Sequence, residues 1–244
     1  LSEVKLLFTP SAMGYDRAIT IFSPDGKLYQ VEYAFEAVRK GMLTLGVRSR
    51  EGVVLMAVKQ PRSKLMESTE KIKKIDEHVG LAFAGLFGDA RVLIDQARIY
   101  AQIHRLVYGE KMPVDLLVKR ICDIKQAYTQ HAGVRPFGVA FLFAGVDRKG
   151  PHLIRTDPGG SYTMFKADAI GANAPKAVEV LEREYTDDIA LDGAVELGLK
   201  AVRYAVGKEI GPANLEMAVA KTEDQRFRIL SEEEIGQILS KFEQ

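Results

Sequence analysis

A chain of 244 residues can bury a substantial core as one large domain or two small ones. Its 34 basic and 33 acidic side chains interleave to a net charge of +1, without the basic surplus or one-signed stripe of a nucleic-acid or membrane-surface binder. The single cysteine, Cys122, excludes an intrachain disulfide and any CxxC metal or redox motif, and fits a reducing, cytoplasmic setting.

No apolar run approaches the roughly 20 residues needed to cross a bilayer. The longest, Pro136 to Val146, is strand-sized and holds Gly138 and Gly145. The opening Leu-Ser-Glu-Val-Lys-Leu-Leu-Phe lacks the apolar centre of a secretory signal, so none is expected.

In chain order, a polar-aromatic arm comes first, then a tight turn at Ser23-Pro24-Asp25-Gly26. Leu28, Val31, Phe35 and Val38 then recur at helical steps, Glu36 and Lys40 sit one turn apart, and Gly41 suits a left-handed cap. Strands follow: Leu43, Leu45 and Val47 alternate with polar or small neighbours, Ser49 to Gly52 turns, and Val53 to Val58 reads as buried. Short strands are predicted over Ile72 to Ile75 and Val79 to Ala84. Two long helices come next, one with Ala90, Leu93, Ala97, Tyr100, Ala101 and His104 on a face, the other with Leu117, Ile121, Ile124 and Tyr128 and Pro113 in its first turn.

Gly133 to Gly138 breaks this second helix. Strands are predicted over Val139 to Val146, Pro151 to Thr156, Tyr162 to Phe165 and Ala167 to Ile170. Helices over Pro175 to Tyr185 and Asp192 to Val206 lead to strands over Leu215 to Ala220 and Phe227 to Leu230. Ser231 and Glu234 form a capping box for a last helix with Ile235, Ile238, Leu239 and Phe242 on one side. Runs of strands alternating with helix pairs argue against a doubly wound parallel sheet and for an α+β fold of stacked antiparallel sheets with helices on both outer faces. Short turns and the absence of a linker or repeat give one domain, 42–244, behind an N-terminal extension, 1–41.

The order of residues in the arm adds a resemblance. Tyr15-Asp16-Arg17, Phe22-Ser23-Pro24-Asp25-Gly26 and Gln30-Val31-Glu32-Tyr33-Ala34 closely resemble the N-terminal signature of 20S proteasome α-subunits of archaeal type. The likeness runs on through Gly85-Leu86 with Asp89-Ala90-Arg91-Val92-Leu93, then Gln126-Ala127-Tyr128-Thr129-Gln130, Gly133-Val134-Arg135-Pro136-Phe137-Gly138 and Arg183-Glu184-Tyr185. It implies the four-layer αββα sandwich of the N-terminal-nucleophile hydrolases. It also implies a seven-membered ring of copies stacked on proteasome β-subunits, admitting protein substrates and receiving the C-terminal tails of an ATPase activator such as a proteasome-activating nucleotidase. Phe35 and Phe83-Ala84-Gly85-Leu86-Phe87-Gly88 depart from the family's usual residues, and the segment before Lys71 is shorter.

Catalytic β-subunits of that family use an N-terminal threonine whose own α-amine is the base, so a free N-terminus is required. Aligning Gly46-Val47 and Glu51-Gly52-Val53 with their pattern puts Met42, a thioether, at the nucleophile and Val58 at the supporting aspartate. Gly41 and Lys71 are kept. Thr44 is ordinary strand material. No catalytic residue is therefore expected; the chief alternative is a self-processing N-terminal-nucleophile amidohydrolase that removes its extension, and a third is an interaction adaptor. Cys122 sits in a helix with no glycine elbow, His104 reads as a hydrogen-bonded core or interface histidine, and His78, His131 and His152 lack ligand spacing, so no metal or cofactor is expected. Gly85-Leu86-Phe87-Gly88 lacks the Gly-Lys-Ser/Thr ending of a phosphate loop.

The resemblance implies a gate cluster of Tyr15, Asp16, Arg17, Pro24 and Tyr33, where phenols can donate to Asp16 and Pro24 offers an apolar face to a ring. Residues 1–13 extend to about 45 Å at most, enough to reach a pore, and Leu6, Leu7 and Phe8 give them adhesive content. Taken alone, Lys71 reads as a solvated lysine beside Lys73 and Lys74. The resemblance instead places Lys71, Gly85 and Leu86 in an activator-tail pocket, with Lys71 for a free carboxylate and the Gly85 backbone for an aromatic neighbour.

Overall fold

A computed structural model describes residues 21–59, 65, 70–207 and 210–242. Its strands are β1 (Thr44–Arg48), β2 (Gly52–Val58), β3 (Ile72–Asp76), β4 (Val79–Gly85), β5 (Val139–Asp147), β6 (Gly150–Thr156), β7 (Tyr162–Met164), β8 (Ala167–Ile170), β9 (Leu215–Lys221) and β10 (Phe227–Ile229). Its helices are α1 (Tyr29–Arg39), α2 (Phe87–Tyr108), α3 (Val114–Ala127), α4 (Ala174–Glu184), α5 (Leu191–Val206) and α6 (Glu232–Lys241). The strands pair antiparallel into two sheets, ordered β10-β9-β2-β1-β8 and β3-β4-β5-β6-β7.

Period-two alternation builds the layers, because successive side chains of a strand face opposite ways. In β2, Val54, Met56 and Val58 turn outward to α4, α5 and α6, while Val53, Leu55 and Ala57 turn to the other sheet. In β5, Val139, Phe141 and Phe143 turn to α2 and α3, and Ala140, Leu142 and Ala144 turn inward. Alanines therefore crowd the middle layer, with Ala82, Ala84, Ala140, Ala144, Ala218 and Ala220 letting the sheets approach. Three stacked apolar layers result, and each fully buried Leu, Val or Phe contributes about 1.5–3 kcal/mol before the opposing conformational entropy. The four-layer αββα arrangement expected from the sequence is the observed one.

Several local expectations need correction. β1 is not half-buried in alternation: Thr44, Leu45, Gly46 and Val47 are all buried, because α5 covers one face and the second sheet the other. The strand expected over 167–170 is present, and its pairing, on which the sequence was silent, is with β1 in the first sheet. Pro113 stands just before α3 rather than within its first turn. On α1, Ala34 and Val38 are buried while Leu28, Val31 and Phe35 are half-buried, and Glu36 pairs with Arg39, not Lys40. The capping box of Ser231 and Glu234 is present in both directions, at 2.9 and 3.2 Å.

Gly41 does not take a left-handed cap. Lys40 ends α1 in right-handed geometry, and the glycine answers a different demand. A Cβ at Gly41 would lie 2.4 Å from the Gly85 backbone nitrogen. The end of α1 thus meets the end of β4 backbone to backbone, and this junction frames the site below.

Candidate functional site

Three segments converge where α1 hands the chain to β1. The Gly41 carbonyl accepts from the Ala172 amide at 2.7 Å, and the Met42 carbonyl accepts from the Lys71 ammonium at 2.8 Å. Gly171, at φ +92°, passes so close that a Cβ there would lie 2.5 Å from the Met42 oxygen. The Gly41–Met42 link is held on several sides as continuous main chain. Val58 is buried on the outer face of β2, and the Thr44 hydroxyl donates to the Phe83 carbonyl at 3.2 Å.

Lys71 is not the solvated lysine that its neighbours Lys73 and Lys74 suggest. It is 3% exposed, just ahead of β3, with its amine 5.9 Å from the centre of the Phe83 ring. Burial pushes that amine down to about 7, against the pull of the Glu216 carboxylate. Glu216 accepts from the Lys71 amide with both oxygens, at 3.0 and 2.9 Å, and from the Ile72 amide at 2.8 Å. Burial raises the Glu216 carboxyl above the ordinary range, and those two amides pull the other way.

Gly85 ends β4 at φ +121°, and a Cβ there would meet the Gly138 carbonyl oxygen at 2.1 Å. Its glycine is thus required by packing within the chain. Leu86 follows, 45% exposed, and Phe87 is 44% exposed with its ring edge-on to Phe83 at 4.9 Å. Behind them Arg135 grips Asp89 with both guanidinium nitrogens, at 2.7 and 2.8 Å, and the Gly138 amide adds a third bond at 2.8 Å. Burial opposes ionisation of Asp89, but the Arg135 and Gly138 bonds outweigh it and hold the carboxyl below its usual range. A cleft of about 670 Å³ opens here, floored by Phe83, Phe87 and Ile94 and rimmed by Glu70, Lys73 and Arg91.

The structure therefore brings Lys71, Gly85 and Leu86 to one junction through Gly41, Met42 and Phe83. Pro24 and Tyr33 lie on the exposed turn and on α1, Tyr33 at 53% exposure. Tyr15, Asp16, Arg17 and residues 1–13 lie outside the described residues. Sequence reasoning missed Glu216, whose only signal is a lone acid within an apolar strand, and the Asp89–Arg135 pair, whose members both stand in the motifs quoted above.

Other candidates settle into packing. Cys122 is buried, and burial pushes its thiol up to about 12. His104 stacks on Tyr108 at 4.6 Å, and its buried Nε2 has no hydrogen-bond partner among the described residues, contrary to a hydrogen-bonded core histidine. His78 is fully buried with Nε2 2.8 Å from the Met112 carbonyl, and His152 Nε2 lies 2.8 Å from Asp147. Among the described residues no group of three or more His, Cys, Asp or Glu could hold a metal, and no helix is long and apolar enough to cross a membrane.

Comparison with known proteins bears on this geometry. The proteasome subunit family model matches residues 38–220, and the N-terminal signature of A-type proteasome subunits matches residues 15–37. The chain is 52% identical over 224 residues to the proteasome alpha subunit of Methanothermobacter thermautotrophicus, covering 91% of this chain and 90% of that one. It is 51% identical over 234 residues to that of Methanocaldococcus jannaschii, covering 95% and 88%. To that of Sulfurisphaera tokodaii it is 48% identical over 241 residues, covering 97% and 100%. The chain belongs to the proteasome subunit family and carries that family's α-type N-terminal signature.

Proposed function

We propose that this chain is a non-catalytic α-subunit of a cytoplasmic 20S proteasome core particle. It forms a seven-membered outer ring, stacks on β-subunits, gates the entry of protein substrates and docks an ATPase activator. The observation that carries the non-catalytic part is the Gly41–Met42 junction. A thioether stands where the catalytic relatives need a hydroxyl beside a free amine, and the Met42 carbonyl takes the Lys71 ammonium at 2.8 Å. A ring of odd order must use one face of each copy against a different face of the next.

Gating falls to residues 1–41, through Tyr15, Asp16, Arg17, Pro24 and Tyr33 between neighbouring copies. The exposure of Tyr33 and Pro24 supports this reading, because both are free to meet another chain. Activator docking falls to Lys71, Gly85 and Leu86. A carboxylate entering there can accept from one of the N–H donors that the Lys71 ammonium keeps beside its bond to the Met42 carbonyl, and the charge on both partners makes that bond a strong one. Native mass and electron microscopy of the purified chain, alone and with a β-subunit, test the assembly: seven-membered rings are expected, and a monomer or dimer under both conditions contradicts it.

A further inference from the structure

Glu216 belongs to β9 in the first sheet, but its side chain serves the second. Along β9, Leu215, Met217 and Val219 face the outer helices, while Ala218 and Ala220 face the middle layer. Alternation places Glu216 with the alanines, facing the second sheet, as Asp168 of β8 does where it pairs with Arg155 at 3.2 Å. Glu216 is 7% exposed. A carboxylate taken out of water needs donors or it costs several kcal/mol. The Lys71 and Ile72 amides supply them at 2.8–3.0 Å, at the entrance of β3.

We propose that Glu216 is the positioning residue of the Lys71 amine, fixing from the opposite sheet the backbone from which that amine reaches the Gly41–Met42 junction. The inference rests on the reading of Lys71 as a carboxylate ligand, and supplies what holds that ligand in place. Glu216 acts in two ways. Its hydrogen bonds fix the Lys71 backbone, which leaves the side chain aimed at Met42 rather than at solvent. Its charge favours the ammonium over the amine, against burial, and only the ammonium attracts a carboxylate. The other charges acting on Glu216 itself are Lys59 and Glu70, of opposite effect.

The test follows the Lys71 Cε resonance against pH in lysine-labelled protein, with folding checked by circular dichroism. In the unaltered chain the amine is expected to titrate at about 7. Glu216→Gln keeps the shape, removes the charge and turns one acceptor into a donor, so the titration moves down by roughly one unit. Glu70→Gln makes the same change in net charge next to Lys71 on an exposed side chain, and leaves the titration where it was. An unmoved titration in Glu216→Gln, or an equal shift in both variants, overturns the proposal. Should Glu216→Gln not fold, amide exchange in the unaltered chain decides: slow exchange at Lys71 and Ile72 supports it, and exchange as fast as an open loop overturns it. None of these measurements uses an activator, so a failure of activator docking at Lys71 would leave this linkage standing.

Discussion

The Lys71 ammonium donates to the Met42 carbonyl oxygen at 2.8 Å, tying the entrance of β3 to the link between α1 and β1. That bond stands at the foot of the N-terminal extension, beside the Gly41–Ala172 hydrogen bond and the Gly41–Gly85 backbone contact. An incoming carboxylate that bonds to the ammonium therefore acts at the base of the segment proposed to gate the pore.

Replacing Lys71 with Ala is expected to abolish stimulation of the α/β particle by its ATPase activator. A charge-assisted bond to a carboxylate contributes about 1.5–3 kcal/mol, a tenfold or larger loss per site, multiplied by avidity around a ring. Lys73→Ala removes an equal charge from a side chain paired with Glu70 at the rim, and leaves stimulation largely intact. Equal damage from both would point to diffuse electrostatics. Stimulation should also weaken as pH rises through about 7, where the folded Lys71 gives up its proton.

Deleting residues 1–13 should raise peptide hydrolysis by the assembled particle without disturbing the ring, because every described element begins after them. Normal assembly with no faster cleavage would remove the plug from the account.

Gly85→Ala should destabilise the chain by more than about 3 kcal/mol, since it combines a strained φ of +121° with a 2.1 Å approach to the Gly138 oxygen. Gly26→Ala meets no atom within 4 Å at φ +72°, so it carries only the left-handed backbone cost of roughly 1–2 kcal/mol. Urea midpoints separate the two, and equal losses would contradict the packing at Gly85.

Lys125 is fully buried on α3, donating to the Val139 carbonyl at 2.9 Å, the Thr156 hydroxyl at 2.8 Å and the Asp157 carbonyl at 3.3 Å. Burial pushes its amine down to about 8 from 10.5. The unfolded chain therefore holds that proton more tightly, so the charging cost is full below about 8 and fades as pH rises towards 10.5. Lys125→Met has no such proton and removes one donor from each of three acceptors, of which the Thr156 hydroxyl keeps the Phe141 amide and the Asp157 carbonyl keeps the Gly160 amide. The variant should be less stable by about 1–2 kcal/mol at pH 7, and the deficit should widen between pH 8 and 10. A deficit that narrows there reverses the sign of the linkage.

Much of the fold was legible because its signals are local. Alternation along β5 and β9, helical steps in α2 through α5 and the Ser231–Glu234 box each involve residues close in sequence. What was not legible depends on distant partners. β8 returns to β1 because β1 has a free edge there, which no periodicity reveals. Gly41 read as a cap because its real constraint, the Gly85 nitrogen, lies across the fold. Lys71 read alone as a solvated lysine because its acceptor is a backbone carbonyl and its support, Glu216, comes from another sheet.

If the Gly41–Met42 junction is structural rather than catalytic, the purified chain alone cannot cleave peptides. Hydrolysis of fluorogenic peptides decides this, with the chain alone compared with the same chain assembled on a β ring, each with and without a threonine-directed inhibitor. No inhibitor-sensitive cleavage is expected from the chain alone, and clear, inhibitor-sensitive cleavage is expected from the assembled particle. Inhibitor-sensitive cleavage by the chain alone, with a new N-terminus found by mass spectrometry, would contradict the structural reading and restore the self-processing amidohydrolase.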